Sequence, residues 1–364
     1  MDNTILNSDM HEKRTPLEEI KGIKKRLEIG VPIIKTYHNL AFPLSVICCK
    51  DKNKGWFYSN FINIYSFYDQ EINKLIINFD VQFFEDEVYY LNREKISVKT
   101  LDAISNRPIE NIIELLNQNK YVILFLDEYY IEESLRYNKE HFDHEFMIYG
   151  YDLEEGTFDT INYGNDYHYK SRKMSFKSFT EGYNSQQLNR DLPMMFLSYY
   201  EDNEWFRPYY KLDSKYINYS IKNYLKGHNF LYNKRHIYPL NCNSKNKYGI
   251  DIYIDLINYL ETMKTDNNFI EVIFFYLLYE HKNCMERRLN YMNEKGYISK
   301  EYCDKYQSIS NQTRNLIMNI IKINKKRYED DIRFKKIEQI QQKIQKIAFE
   351  EKQILMDITK RLEA

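Results

Sequence analysis

The stretch DEYYIEESLRYNKEHFDHEFMIYGYD, Asp127 to Asp152, decides the fold. It seats one histidine, His144, at the mouth of an apolar strand, where an imidazole can face a cleft. The next residues, LEEG, turn the chain into TFDTINYG, so two short strands pair as a hairpin. Which residue shares the face of His144 follows from strand parity. An odd loop such as Leu153–Glu155 puts Asn162 there; an even loop puts Asp159 there instead. A histidine beside an Asp or Asn supplies two of the three parts of a nucleophilic triad. His141, in the loop three residues earlier, is the second candidate base. Asp127 and Glu128, at the end of YVILFLDEYY, can line the same cleft, although alternation along a strand admits only one of them.

Outward from this hairpin, IENIIELLNQNKY (109–121) repeats apolar residues at helical spacing and leads into the strand YVILFLDEYYI. MSFKSFTEGY reads as a short helix and PMMFLSYY as a further strand. Before residue 106 the sequence is aromatic and irregular, with one strand candidate in LIINFDVQFF. TYHNLAFPLSVICC has Leu40, Leu44 and Ile47 at helical spacing, with Thr36 as N-cap and Pro43 as a kink near the middle. Beyond about Asp213 the period becomes 3.6 throughout. The last segment, IEQIQQKIQKIAFEEKQILMDITKRL, keeps Ile and Leu on one face, as bundle packing requires.

The expected fold is therefore α+β, with an antiparallel sheet, followed by an all-helical domain. Its expected divisions are a polar arm over 1–30, the sheet-bearing domain over 31–212 and the helical domain over 213–364.

With 364 residues, 43% of them hydrophobic, the chain is long enough for two cores. Fifty-two Lys and Arg nearly cancel 53 Asp and Glu, which removes the electrostatic reason to expect a nucleic acid partner. The five cysteines show no CxxC pair and no zinc spacing. No apolar signal core opens the chain, and its apolar runs are too short to span a membrane, so a cytoplasmic location is expected. No Gly-rich phosphate loop, HExxH or GxSxG occurs.

Three passages resemble the butirosin biosynthesis protein H family, whose amino-terminal domain is similar to the double-glycine leader peptidases and other papain-like cysteine enzymes. PIIKTYHNLAFPLSVI looks like the nucleophile helix and DEYYIEESLRYNKEHFDHEFMIYGYD like the histidine strand. TINYGNDYHYKSRKMSFKSFTEGY looks like the third-residue strand and its following helix. YGIDIYIDLINYL and EHKNCMERRLNYM are similar to the accompanying helical region, so the resemblance spans most of the chain.

The resemblance implies a papain-like domain that performs acyl transfer or amide formation in specialised-metabolite, including antibiotic, biosynthesis. The implied partners are an acyl or peptidyl carrier protein and a small-molecule acceptor. No cofactor is expected on the chain itself; the phosphopantetheine thioester would sit on the carrier. The family helix opens with a cysteine before an aromatic residue, and here Thr36 stands in that place, ahead of Tyr37, His38 and Asn39. The implied triad is thus Thr36, His144 and Asn162, with Asn162 where the family usually has Asp.

Threonine is far less ionised than cysteine, and Asn supplies no charge to an imidazolium. A catalytically weakened relative is therefore part of the same expectation. The alternative is a non-catalytic scaffold that recognises a carrier protein or a pathway product. Cys48 and Cys49 lie 12 and 13 residues past Thr36, too far along a helix to replace it.

Overall fold

The computed structural model describes residues 22–69, 74–80, 91–199, 210–227, 246–265, 269–326, 328 and 330–363. Most of the expected arm, and the end of LIINFDVQFF, lie outside these residues. In chain order the elements begin with β1 (Lys24–Arg26), α1 (His38–Ile47), α2 (Lys54–Ser59), β2 (Ile64–Asp69) and β3 (Lys74–Phe79). Then come β4 (Leu91–Ser97), α3 (Val98–Ile104), α4 (Pro108–Asn117), β5 (Tyr121–Asp127), β6 (Asp143–Asp152) and β7 (Thr157–Tyr163). After β8 (Tyr169–Ser175), α5 (Phe176–Tyr183) and β9 (Pro193–Tyr199), the chain turns helical: α6 (Ser214–Lys226), a short β10 (Lys247–Tyr248), α7 (Ile252–Thr265), α8 (Ile273–Glu294), α9 (Lys300–Lys325) and α10 (Asp330–Glu363). The class is α+β with antiparallel sheet and a helical carboxy-terminal region, as the sequence pattern implies.

Contacts divide the chain into two compact units, one of Met1–Glu28 with Leu91–Tyr199 and one of Ile29–Tyr90 with Tyr200–Ala364. The first unit holds 91–199 of the expected 31–212 domain. The second holds 31–90 and 200–212 of it, together with all of 213–364.

The first unit is a seven-stranded antiparallel sheet in the order β4-β9-β5-β6-β7-β8, with β1 paired to β6. Its best-protected strand, YVILFLD, is buried at six of seven positions, which is why its sequence does not alternate. One face is covered by α4 and α5. Ile112, Ile113 and Leu116 meet Val122, Leu124, Phe146 and Ile148 in one apolar cluster with Phe158, Phe179 and Tyr183. Pro108 sits in the first turn of α4, where its missing N–H costs nothing, and the Ser175 hydroxyl caps α5 by accepting from the Ser178 N–H. The expected helix in MSFKSFTEGY begins two residues late because Met174 and Ser175 finish β8.

The second unit packs α8 on α9, α9 on α10, and α10 on α6 and α7, beside a three-stranded sheet β10-β2-β3. Ile337, Ile340, Ile344 and Ile347 of α10 are all buried, so the apolar face of the last segment packs inside this unit. The centre of the unit is polar. Lys282 Nζ lies 2.9 Å from both carboxylate oxygens of Glu351, and neither side chain is exposed. Hydroxyls of Tyr224, Tyr253 and Tyr306 also donate to Glu351. Burial, then the adjacent carboxylate, pushes all three phenols well above their ordinary range. Arg288, fully buried on α8, donates to the carbonyls of Tyr58, Asn60 and Phe61. It thereby satisfies a turn in which Phe61 takes a left-handed φ of 57°.

Among the described residues no helix is long and apolar enough to cross a membrane.

Candidate functional site

His144 is the third-exposed end of a histidine–carboxylate pair. Its Nδ1 lies 2.6 Å from Glu128 Oε1, with the histidine side chain 34% and the glutamate 6% exposed. The sequence arranges this meeting simply. β5 and β6 pair antiparallel with Leu126 opposite His144, and β5 ends at Asp127 in a single 3-10 turn over Glu128–Tyr130. That turn breaks the strand alternation and swings Glu128 toward the histidine. Its backbone is held by the Glu128 N–H donating to the Phe142 carbonyl at 3.0 Å.

Burial pushes the Glu128 carboxyl up, but hydrogen bonds from His144 and Ser134 and the nearby charges of His144 and Arg136 outweigh it. The net result is a carboxyl held below its usual range. Ionised Glu128 therefore accepts from Nδ1–H, so in the neutral tautomer that this bond selects the lone pair falls on Nε2. This is the tautomer a general base needs.

A second pair lies beside it. His141 Nδ1 is 2.6 Å from Asp127 Oδ2, and the Ser185 hydroxyl donates to the same oxygen at 2.6 Å. The His141 ring stacks on Tyr129 with centroids 4.4 Å apart. Asp127 also accepts backbone N–H groups from Tyr129 and Phe142. Its carboxyl is lowered although burial, the largest influence, opposes this. Serine, aspartate and histidine are in the wrong order for a nucleophilic relay here, because the carboxylate separates the hydroxyl from the ring. Asp127 and Glu128, neighbours in sequence, each bond a different histidine. Alternation holds inside a strand, and the strand ends between them. Among the described residues, no group of three or more His, Cys, Asp or Glu converges as metal ligands would.

The strand-parity question has an unexpected answer. The hairpin loop, Leu153–Gly156, is even, and Asp159 pairs with Gly150 next to it. A bulge at Tyr149 then shifts the register, so that Ile148 pairs with Thr160 and Met147 with Ile161. One step further, the same register puts Asn162 level with Phe146, on the His144 face. It does not orient the ring. The Asn162 amide donates to the Tyr163 carbonyl at 2.9 Å, and its oxygen is buried without a hydrogen bond. The orienting group on His144 is Glu128.

Thr36 belongs to the other unit. Its hydroxyl donates to Glu280 Oε2 at 2.7 Å and its N–H to the same oxygen at 3.1 Å, while the Lys35 N–H donates to Oε1 at 3.1 Å. The expected N-cap role is corrected: α1 starts at His38, Tyr37 is the N-cap residue and no side chain caps it. A carboxylate from α8 takes the hydroxyl and amides just ahead of the helix. Burial pushes Glu280 up to about 7, against the opposing pull of the Thr36 and Lys35 hydrogen bonds. His38 stacks on Phe42 inside α1, with ring centroids 4.7 Å apart.

Glu280 is a residue that sequence reasoning left without a role, and Glu128, placed at the cleft, was not paired with His144 there. A signal for Glu280 exists in EHKNCMERRLNYM, where Glu280, Cys284 and Arg288 recur every four residues on the buried face of a helix. Charges in such positions need dedicated partners.

No family model matches the chain, and no curated protein sequence matches it.

Proposed function

We propose that the protein transfers an acyl group from a carrier-bound thioester to a small-molecule acceptor, with His144 as general base and Glu128 as its orienting residue. One observation carries this reading: a partly exposed imidazole whose Nδ1 is fixed, at 2.6 Å, on a buried carboxylate held ionised. The α+β architecture, with a helix following residue 36 and an antiparallel sheet bearing the histidine, supports the papain-like comparison drawn from the sequence.

In the proposed step the acceptor amine or hydroxyl attacks the thioester carbonyl while His144 Nε2 takes its proton. The C–S bond then breaks, and the imidazolium returns the proton to the leaving thiolate. Glu128 stabilises the transient imidazolium, which Asn162 would do without charge. Thr36 forms no acyl intermediate in this scheme; its hydroxyl donates to Glu280. A second reading, favoured by threonine at the position where the resemblance expects cysteine, is that the protein binds the carrier-borne acyl group without turnover.

Incubation with an acyl N-acetylcysteamine thioester and an amine acceptor separates these outcomes by intact-mass and product analysis. Product formed by the parent protein and by Thr36→Ala, but lost in His144→Ala, supports direct transfer. An acyl adduct that disappears in Thr36→Ala overturns it in favour of a threonine nucleophile. Saturable thioester binding with no product leaves the binding function.

A further inference from the structure

We propose that the outer face of the hairpin formed by α9 and α10 is a docking surface for a bilayer of anionic phospholipid, on which these helices lie without crossing it. This proposal is independent of the chemistry assigned to His144.

The face begins as a pattern in the sequence. From Arg314 to Lys326 no residue is acidic, and from Lys335 to Lys352 the acids are Glu338, Glu350 and Glu351. Glu351 is buried at the centre of the unit. The other two already have partners. Glu338 shares Lys264 with Glu261 of α7, at 3.9 and 2.8 Å, and Glu350 takes Lys346 at 3.7 Å and the Gln312 amide at 2.9 Å. Asp331, one turn before Lys335, is the exposed acid nearest in sequence. Against these, Arg314, Lys322, Lys325, Lys335, Lys343 and Lys352 are all exposed and make no ion pair among the described residues. In a chain whose net charge is -1, six unpaired cations on two neighbouring helices are a local segregation of charge.

Helical spacing gathers them onto one surface. On α9, Arg314, Met318, Lys322 and Lys325 follow one another at intervals of four, four and three residues along one exposed stripe. On α10, Lys335, Gln342, Phe349 and Met356 recur every seven residues, all exposed, and Lys346 and Lys352 flank Phe349 three residues to either side. The stripes adjoin, because α9 packs on α10 and the Gln312–Glu350 bond crosses the seam. At 1.5 Å per residue, the charged length from Lys335 to Lys352 is about 26 Å.

Two features select a lipid surface over another polyanion. Phe349 is 65% and Met318 50% exposed in the middle of this cationic face, and both gain free energy on entering the boundary between headgroups and acyl chains. Five of the six unpaired cations are lysines, whose long stems keep the charge among the headgroups while the ring between them goes deeper. Arginine forks suit the fixed phosphates of a duplex or the carboxylates of a folded partner, and Arg314 is the one arginine of the six. The isoleucine side of α10 is buried in its own unit, so the helix can rest on a bilayer but has no apolar face left with which to insert fully.

Cosedimentation of the full chain with phosphatidylcholine vesicles, with and without about 30 mol% phosphatidylserine, at about 0.1 M salt tests the surface. The expected result is binding about tenfold or more tighter to the anionic vesicles. Replacing Lys343, Lys346 and Lys352 together by Gln should weaken it about a hundredfold, at about fivefold per lysine, and Phe349→Ala should weaken it about fivefold at unchanged charge. The same charge change made in the sheet unit, with Lys95, Lys99 and Lys177 replaced by Gln, should alter it by less than about threefold. All the substituted side chains are exposed, and circular dichroism will confirm that each variant is folded. Equal binding to neutral vesicles, full affinity in both face variants, or an equal loss in the sheet-unit variant would overturn the proposal. Tighter binding of duplex DNA or poly-glutamate than of the anionic vesicles would assign the face to nucleic acid or to an acidic protein and overturn the lipid assignment.

Discussion

Glu280→Gln should remove a pH dependence from the stability of the helical unit. The Glu280 carboxyl, 5% exposed, has its folded pKa at about 7 against an ordinary 4.5, so the folded protein keeps a proton that the unfolded chain releases. The sign follows from linkage. A raised folded pKa gives stability that is fully present below the unfolded value and is lost as pH rises through 7. At about 1.4 kcal/mol per tenfold change in proton affinity, the loss across that window is about 3 kcal/mol. Glutamine cannot release a proton, so its contribution is flat. It offers one carbonyl oxygen to three donors, the two N–H groups and the Thr36 hydroxyl, which adds a penalty independent of pH.

Urea unfolding followed by tryptophan emission is the suitable assay, because Trp56 lies on α2 in this unit. Between pH 4.5 and 8.5 the variant should gain on the parent by about 3 kcal/mol, whatever its offset. A difference constant to within about 0.5 kcal/mol across that range would refute the reasoning, since other titrating groups cancel between the two proteins.

Three further outcomes are expected. Lys282→Met should cost about 3–5 kcal/mol of unfolding free energy, because it strands the Glu351 carboxylate inside the unit, and denaturant melts will measure it. Glu128→Gln should lower the kcat of acyl transfer about a hundredfold with little change in KM, since it removes the charge behind His144 without touching substrate; steady-state kinetics will show it. Gly150→Ala should destabilise the sheet unit by about 1–3 kcal/mol, because the Lys25 carbonyl it meets is backbone and cannot turn aside; thermal unfolding by circular dichroism checks this.

Local pattern carried much of the fold. The spacing of Ile112, Ile113 and Leu116 marks α4, the continuous apolar run of β5 marks a strand buried on both faces, and the isoleucines of α10 mark a bundle face. β4 and β8 were harder to see, because LNREKIS and YKSRKMS carry charges along strands at or near a sheet edge. At the site, His144 and the hairpin were legible, whereas the bulge at Tyr149 was not. A single inserted residue reverses strand parity without leaving a mark in composition.

By itself the sequence determined where the strongly periodic helices and apolar strands run and which histidine stands at a strand mouth, since those depend on periodicities a few residues long. Tertiary structure alone decided the partners of the polar groups. Glu128 reaches His144 across 16 residues, and Glu280 reaches Thr36 across 244. A hydrogen bond is set by distance and direction in space, and neither leaves a period in the chain.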